Sequence, residues 1–465
     1  MTRRAPLAVA VGRPVVLADV PADIATLVAD SFAARRLPAP VATAVASLDA
    51  TDDVVAGAWL APTPSAAAAL APIARTAAAA GRPLVVWARP GTRVEEIAAV
   101  AYLRAAGAAV CAEPDAWVEA LALLAAHGTP AGARTAVVAP PDSYLAASAH
   151  DDGRRTAWSS AADQLGPTDV VLLGRGAWSA PPGELVALRV PLCERGESLA
   201  DAPVGALVGL RPALAAIAAV GRAVERARIG LGPAARASRG ELEIDEERLA
   251  RQLGKIAAGD RRLGDHEAKV LLAAYGVPIT RQAVATSPSA AQRLAAKAGF
   301  PVDLKPWGPD VPSERAGCPI ERGLASAADV RRAFTAVLAQ AGQPLDGGAV
   351  IVRASPRPGR ALRVKIATLP DLGPTVIVEV TGQPPEAAPA PLRLADANAL
   401  ALTVVATRAG DDEPDRVGLA NLLRRASHLA VDHADRLAEI SLGEVVVAGK
   451  GDGAVVVDAE IALRP

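Results

Sequence analysis

The stretch from Asp265 to Ile320, DHEAKVLLAAYGVPITRQAVATSPSAAQRLAAKAGFPVDLKPWGPDVPSERAGCPI, decides the reading of the chain. Its opening places Ala268, Leu271, Leu272 and Tyr275 at helical spacing, with Gly276 where a left-handed cap is wanted. VPITRQAVA then alternates as a strand. SPSAAQRLAAKAG begins on a Ser cap with Pro at the first helical position and stops at Gly299. FPVDLK reads as a second strand carrying Lys305.

This helix, strand, helix, strand series resembles the ATP-grasp domain of the NDP-forming acyl-CoA synthetases, the family of ADP-forming acetate–CoA ligases and succinyl-CoA synthetases. The resemblance rests on Glu267-Ala268-Lys269, Tyr275-Gly276-Val277-Pro278, Gly299-Phe300-Pro301-Val302 and Lys305. The family pattern continues as S-P-D-I-x-H-K-(S/T)-D-V-G-G-V. Here Pro309-Asp310 is kept, the His-Lys pair becomes Ser313-Glu314, and the paired glycines become Cys318-Pro319. A phosphate-covering loop needs backbone N–H groups and a cation near the anion. Glu314 has the opposite sign, and Pro319 has no N–H to donate.

The resemblance implies further departures downstream. Ala361 falls where the family has a Glu, Lys365 where it has Gly, and Glu379-Val380-Thr381 where it has a glycine-rich turn. Ser441 and Gly443 replace an Asp and an Asn, and Glu460 replaces an Arg beside the retained Asp458-Ala459. The family holds magnesium and ATP phosphates with oxygen ligands and cations. The residues carried over for the nucleotide are Lys305, Asp310 and Glu379, and for the metal Asp458. Lys305 reads equally as an ordinary strand-end lysine, Asp310 as a turn cap, and Asp458 as a hydrogen-bonded turn carboxylate. The family also passes phosphate through a histidine in an S-H-T-G setting. His150 in Ser148-Ala149-His150-Asp151-Asp152-Gly153 is the nearest counterpart, and its two following acids fit a plain loop histidine better. His428 and His433 read as residues of a surface helix, with Asp432 four positions after His428.

Residues 52–127 alternate strand and helix three times, which implies a parallel sheet covered on both faces. Gly81 to Trp87, Leu103 to Gly107 and Glu113 to Leu121 resemble the flavodoxin-like CoA-ligase domain of the same family. Residues 129–230 read as another α/β unit, with strands at ARTAVVAPPDS, TDVVLLGRGAW and LVALRVPLCE before a helix at RPALAAIAAVGRAVERARI. A linker and an amphipathic helix fill 231–262, and 263–465 is the ATP-grasp-like part. All six lysines lie at or after Lys255, which agrees with a boundary before it. The fold class is therefore α/β: a flavodoxin-like CoA-ligase-type parallel-sheet domain at 1–128, a second α/β unit at 129–230 that matches no family domain, then an ATP-grasp domain.

Composition bounds the function. The chain of 465 residues is 51% hydrophobic and 21% charged, which excludes wholesale disorder. A net charge of −1 offers no electrostatic attraction for nucleic acid or an anionic membrane. Three cysteines, Cys111, Cys193 and Cys318, are odd in number and widely spaced, which fits a reducing cytoplasm. Residues 54–74 carry no charge, but Pro62, Pro64 and Pro72 argue against a membrane span. No G-x-G-x-x-G follows the first strand, and no Walker loop or H-E-x-x-H occurs.

Three functions follow. The first is a diverged, catalytically impaired family member acting as a structural or regulatory subunit linked to CoA or acyl-CoA. The second is an active acid–CoA ligase using ATP, Mg and CoA with relocated ligands drawn from Glu379, Asp458 and Glu460. The third is a scaffold with no small-molecule ligand. The resemblance also implies a protein partner or a homo-oligomer.

Overall fold

The computed structural model describes residues 13–47, 54–89, 91–138, 156–159, 170–173, 186–189, 204–234, 240–256, 261–308, 311, 314, 317–405 and 413–464. It divides into two units, 1–232 and 233–465.

In the first unit a five-stranded sheet is built from β1 (Val15–Ala18), β2 (Val41–Thr43), β3 (Val55–Leu60), β4 (Val85–Ala88) and β5 (Ala109–Cys111). Every pair in it is parallel and the order is β2-β1-β3-β4-β5. That is the flavodoxin-like doubly wound order. Parallel neighbours need crossovers, here α1 (Ala22–Ala34), α2 (Pro64–Ala79), α3 (Val94–Ala105) and α4 (Pro114–His127). Thr63 caps α2, its hydroxyl accepting from the Ala66 N–H at 3.3 Å, and Pro64 takes the first helical position.

A second parallel sheet in this unit has the order β7-β6-β8-β9, from β6 (Thr135–Val138), β7 (Thr156–Ser159), β8 (Val170–Leu173) and β9 (Val186–Arg189). The sequence reading anticipated β6, β8 and β9. β7 has no strand signal in the sequence, because RRTAWSS shows neither an apolar run nor clear alternation. Helix α5 (Leu210–Ile229) completes the unit, and Leu121, Trp117, Val137, Leu172 and Ile217 share one core.

The second unit opens with α6 (Glu246–Leu253) and β10 (Arg262–Leu263). Next come α7 (Asp265–Ala274), β11 (Gln282–Ala285), α8 (Pro288–Ala298), β12 (Val302–Trp307), β13 (Glu321–Leu324), α9 (Ala327–Gln340) and β14 (Ala349–Ala354). The antiparallel β11-β14-β12-β13 sheet has one apolar face, buried under α8 and α9 through Val302, Leu304, Val350, Val352, Phe334 and Ala291. Its other face carries Asp303, Lys305, Trp307 and Arg353, because side chains alternate along a strand.

The unit closes with β15 (Arg360–Leu369), β16 (Gly373–Glu379), β17 (Glu386–Pro389), α10 (Leu394–Val404), α11 (Arg416–Asp432), β18 (Leu437–Val447) and β19 (Ala454–Leu463). A six-stranded antiparallel sheet runs β10-β19-β18-β15-β16-β17. Leu362, Val364, Ile366, Ile440, Leu442 and Ile461 on one face bury against α7, α10 and α11. The opposite face carries Arg363, Lys365, Glu439, Ser441 and Glu460. Each sheet thus has an apolar face under helices and a charged face.

One sequence expectation fails here. His428 is fully buried in α11 rather than on a surface, because that helix packs its Leu422, Leu423, Ala426 and Leu429 side into the core. Asp432 accepts from the Tyr275 hydroxyl at 2.8 Å. Among the described residues no helix is long and apolar enough to cross a membrane.

Candidate functional site

Lys305 lies in mid-β12 and is buried. A charge placed on a strand between Leu304 and the flanking apolar residues must find partners, since an isolated buried ion is too costly to keep. Three carboxylates meet it, each at 2.9 Å: Asp265 Oδ2 from the start of α7, Glu314 Oε1 from the loop after β12, and Asp458 Oδ1 from β19. They raise the ammonium pKa above its ordinary value even though burial pulls the other way.

The cluster extends in both directions. Arg353 on β14, fully buried, donates from Nε to Asp303 at 3.2 Å and from Nη1 to the Val457 carbonyl at 2.8 Å, and also engages Glu314. Asp303 in turn accepts from the Gly323 N–H and the Ser355 hydroxyl. Lys269, one turn along α7 from Asp265, reaches that carboxylate at 3.0 Å, Thr280 at 3.2 Å and Gln282 at 3.0 Å. Burial lowers the Lys269 ammonium to about 8, with Asp265 opposing the shift. Burial would raise Asp265, yet Lys269 and Lys305 together hold it below its ordinary value. Glu314 behaves likewise, with burial outweighed by Lys305 and Arg353. Asp458 is the exception: burial wins over Lys305 and its carboxyl is pushed up.

Three buried cations, Lys269, Lys305 and Arg353, therefore face four carboxylates, Asp303 and Asp458 buried and Asp265 and Glu314 partly so. Half-exposed Arg322 closes the rim on Glu314 at 2.9 Å. The assembly is at best neutral before any ligand arrives.

The sequence-derived residues are distributed as follows. Lys305 and Asp458 come together. Glu379 sits at the end of β16 beside Arg363 at 4.0 Å, and lines a cavity of about 220 Å³ with Lys365, Glu439, Asp458 and Glu460. Lys305 is not among the residues lining it. Asp310 and His150 lie outside the described residues. Sequence reasoning missed Asp265, Asp303 and Arg353. Their signal was present, since a charge inside a run such as VDLK or VIVRA demands a partner, but nothing local names that partner.

ATP and magnesium, which the resemblance implies, do not fit this arrangement. The space beside Lys305, lined by Asp265, Trp307, Cys318, Ile351 and Asp458, is about 40 Å³. Pockets for ligands of that size run to several hundred Å³, on the order of 300 or more. Every buried cation is already bonded to carboxylates, so a polyphosphate would meet a neutral or negative wall. Among the described residues no group of three His, Cys, Asp or Glu side chains is arranged to hold a metal ion. At position 443 a Cβ would fall 2.4 Å from Asp458 Oδ2, so a side chain there requires the Asp458 carboxylate to shift.

A family model described as an ATP-grasp domain matches residues 254–463. The beta subunit of the ADP-forming acetate–CoA ligase II of Pyrococcus furiosus is 26% identical over 223 residues, spanning 45% of this chain and 94% of that protein. The ADP-forming 4-hydroxybutyrate–CoA ligase of Nitrosopumilus maritimus is 23% identical over 213 residues, 43% of this chain and 30% of that protein. Among solved structures, the dinucleotide-forming acetyl-coenzyme A synthetase 1 of Candidatus Korarchaeum cryptofilum, in complex with coenzyme A and Ca-AMPCP, aligns with a TM-score of 0.41. Its sequence identity is 26%, over 47% of this chain and all of that one. Residues 254–463 are an ATP-grasp domain, and that domain is similar to the ADP-forming acetate–CoA and 4-hydroxybutyrate–CoA ligases.

Proposed function

We propose that this chain is a catalytically impaired member of the NDP-forming acyl-CoA synthetase family that serves as a structural or regulatory subunit linked to CoA or acyl-CoA. The observation that carries the reading is Glu314 on Lys305 and Arg353. Where the family pattern supplies cations and glycine N–H groups, this chain inserts a carboxylate that neutralises the cations it retains. Phosphoryl transfer depends on positioning and charge stabilisation, so a centre with its cations spent on internal anions has lost the main source of rate. The similarity to a beta subunit and to a synthetase solved with coenzyme A supports a partner chain and a CoA-linked role in the cytoplasm. The test is ADP or GDP formation from nucleotide, CoA and a panel of short and aromatic acids. Turnover in the ordinary range of about 1–10³ s⁻¹ refutes impairment.

A second reading has one specific observation in its favour: Glu379, Asp458 and Glu460 line a common cavity. An active ligase with ligands relocated there predicts Mg-dependent thermal stabilisation by ATP that Lys305→Ala abolishes.

A further inference from the structure

In the first unit a short irregular stretch, Val204 to Gly209, leads into α5. Gly205 and Gly209 bracket it at φ +72° and +78°, and a Cβ at Gly205 would collide with the Ala126 side chain, so the backbone lies directly on the last turn of α4. Leu207 between them is fully buried in the core that α1, α4 and α5 share. The peptide groups around Leu207 are held by α1 and α4 rather than by a sheet ladder. Arg35, at the end of α1, donates from Nε to the Ala206 carbonyl at 3.0 Å, and its own carbonyl accepts the Gly205 N–H at 3.2 Å. His127, at the end of α4, donates from Nε2 to the Gly205 carbonyl at 3.0 Å. Glu119, in mid-α4, accepts the Val208 N–H at 2.8 Å on Oε2 and Arg35 Nη2 on Oε1.

Glu119 therefore ties α4 to both the stretch and α1, and it does so while only 4% exposed. The charged groups facing it are Arg35 from α1 and Asp115, one turn earlier on α4, which repels it. The strands β3, β4 and β5 and helix α5 bring Val55, Val85, Ala109 and Ile217 to the same core, none of them charged. Burial outweighs the pull of Arg35 and of the Val208 N–H and lifts the carboxyl from 4.5 to about 7, so an ionised Glu119 is unfavourable while enclosed. Opening the stretch hydrates the carboxylate and removes that penalty. The His127 bond is different, since a ring that keeps its Nε2 proton donates in either charge state. We infer that Val204 to Gly209 is a proton-operated strap: a protonated Glu119 keeps it closed on α1 and α4, and an ionised one releases it together with Leu207 and the first turn of α5. The closed strap binds the proton more tightly than the open one, so closure is strongest at low pH and is lost as pH rises from 4.5 towards 7. The device lies in the first unit and depends on neither reading of the Lys305 centre.

Amide hydrogen exchange of the full chain between pH 5 and 8, followed at Gly205 and Val208 and divided by the intrinsic rate at each pH, tests this. The population of open strap is expected to rise at least about fivefold across that range, against an upper bound of roughly seventyfold for a carboxyl that returns fully to its ordinary value on opening. Glu119→Gln, neutral at every pH, is expected to flatten the rise, and His127→Gln to leave it in place. A smaller rise in the native chain, a rise that Glu119→Gln keeps, or one that His127→Gln removes overturns the proposal. Should Glu119→Gln fail to fold, carbon-13 titration of the glutamate carboxyls in the native chain decides. A carboxyl titrating above about pH 6 in step with Val208 exchange supports the strap, and none doing so overturns it.

Discussion

Two buried ionic sites, one in each unit, show how partner number sets the state of a carboxyl. In the first unit Glu119 on α4 faces one cation, Arg35, and accepts the Val208 N–H at 2.8 Å. Burial outweighs both, and its carboxyl rises from 4.5 to about 7. In the second unit Asp265 meets Lys269 and Lys305, and Glu314 meets Lys305, Arg353 and Arg322; both are held below their ordinary values although burial pushes them up. A lone partner is not enough to keep a buried carboxylate comfortably ionised; a lattice of them is. The lattice is consequently rigid in its demands, whereas the isolated pair has an escape through protonation.

The largest way to break this contrast is Lys305→Met, which strips one ammonium from three carboxylates. The expected loss is about 3–5 kcal/mol in denaturant unfolding. Arg35→Met should cost clearly less, because Glu119 can take up a proton at neutral pH. Equal losses would remove the distinction. Next comes pH. The folded Glu119 binds a proton more tightly than the unfolded one, so the stability it contributes is present at low pH and lost as pH rises from 4.5 towards 7. The full swing is about 3 kcal/mol. Hydrogen exchange of α4 amides should show it, and Glu119→Gln should flatten it. Asp265 and Glu314 run the other way: their contribution is intact above the ordinary carboxylate range and disappears on acidification below it.

A smaller effect sharpens the case for the lattice as a substitute for a ligand set. Gly443→Asn forces the Asp458 carboxylate aside and should lower stability by about 1–3 kcal/mol, read as a shift in the urea midpoint. A neutral result would mean that Asp458 can leave Lys305 freely. The smallest change is expected on the rim. Lys365 pairs with Glu439 at 2.8 Å, but both are partly exposed, so Lys365→Ala should alter unfolding by about 0.5 kcal/mol or less.

Much of the second unit was legible locally. The apolar spacing of Ala268, Leu271, Leu272 and Tyr275 produced α7, and all four are buried. Ser287 and Pro288 start α8, with the Ser287 hydroxyl accepting from the Ala290 N–H at 3.2 Å. Gly276 and Gly299 sit at φ +68° and +88°, as stops in the left-handed region require. The site was less legible. Glu314 read as a residue of the wrong sign for phosphate; only the fold reveals that its charge is used, on Lys305 and Arg353. His428 read as exposed because its helix has polar residues on several sides, and burial is decided by what packs on it.

Local physics ran through the sequence alone: periodicity and caps determined a parallel α/β part and the helix, strand, helix, strand series after it, since each depends on neighbours within a turn or a strand, while the ATP-grasp reading came from the resemblance of the motif around Lys305. The state of that lysine did not. Asp458 lies 153 positions away along the chain, and it becomes a partner only because β19 and β12 belong to two sheets whose charged faces meet. Ionic pairing falls steeply with distance and solvent, so it is set by tertiary proximity, and a sequence lists charges without saying which of them have already been neutralised.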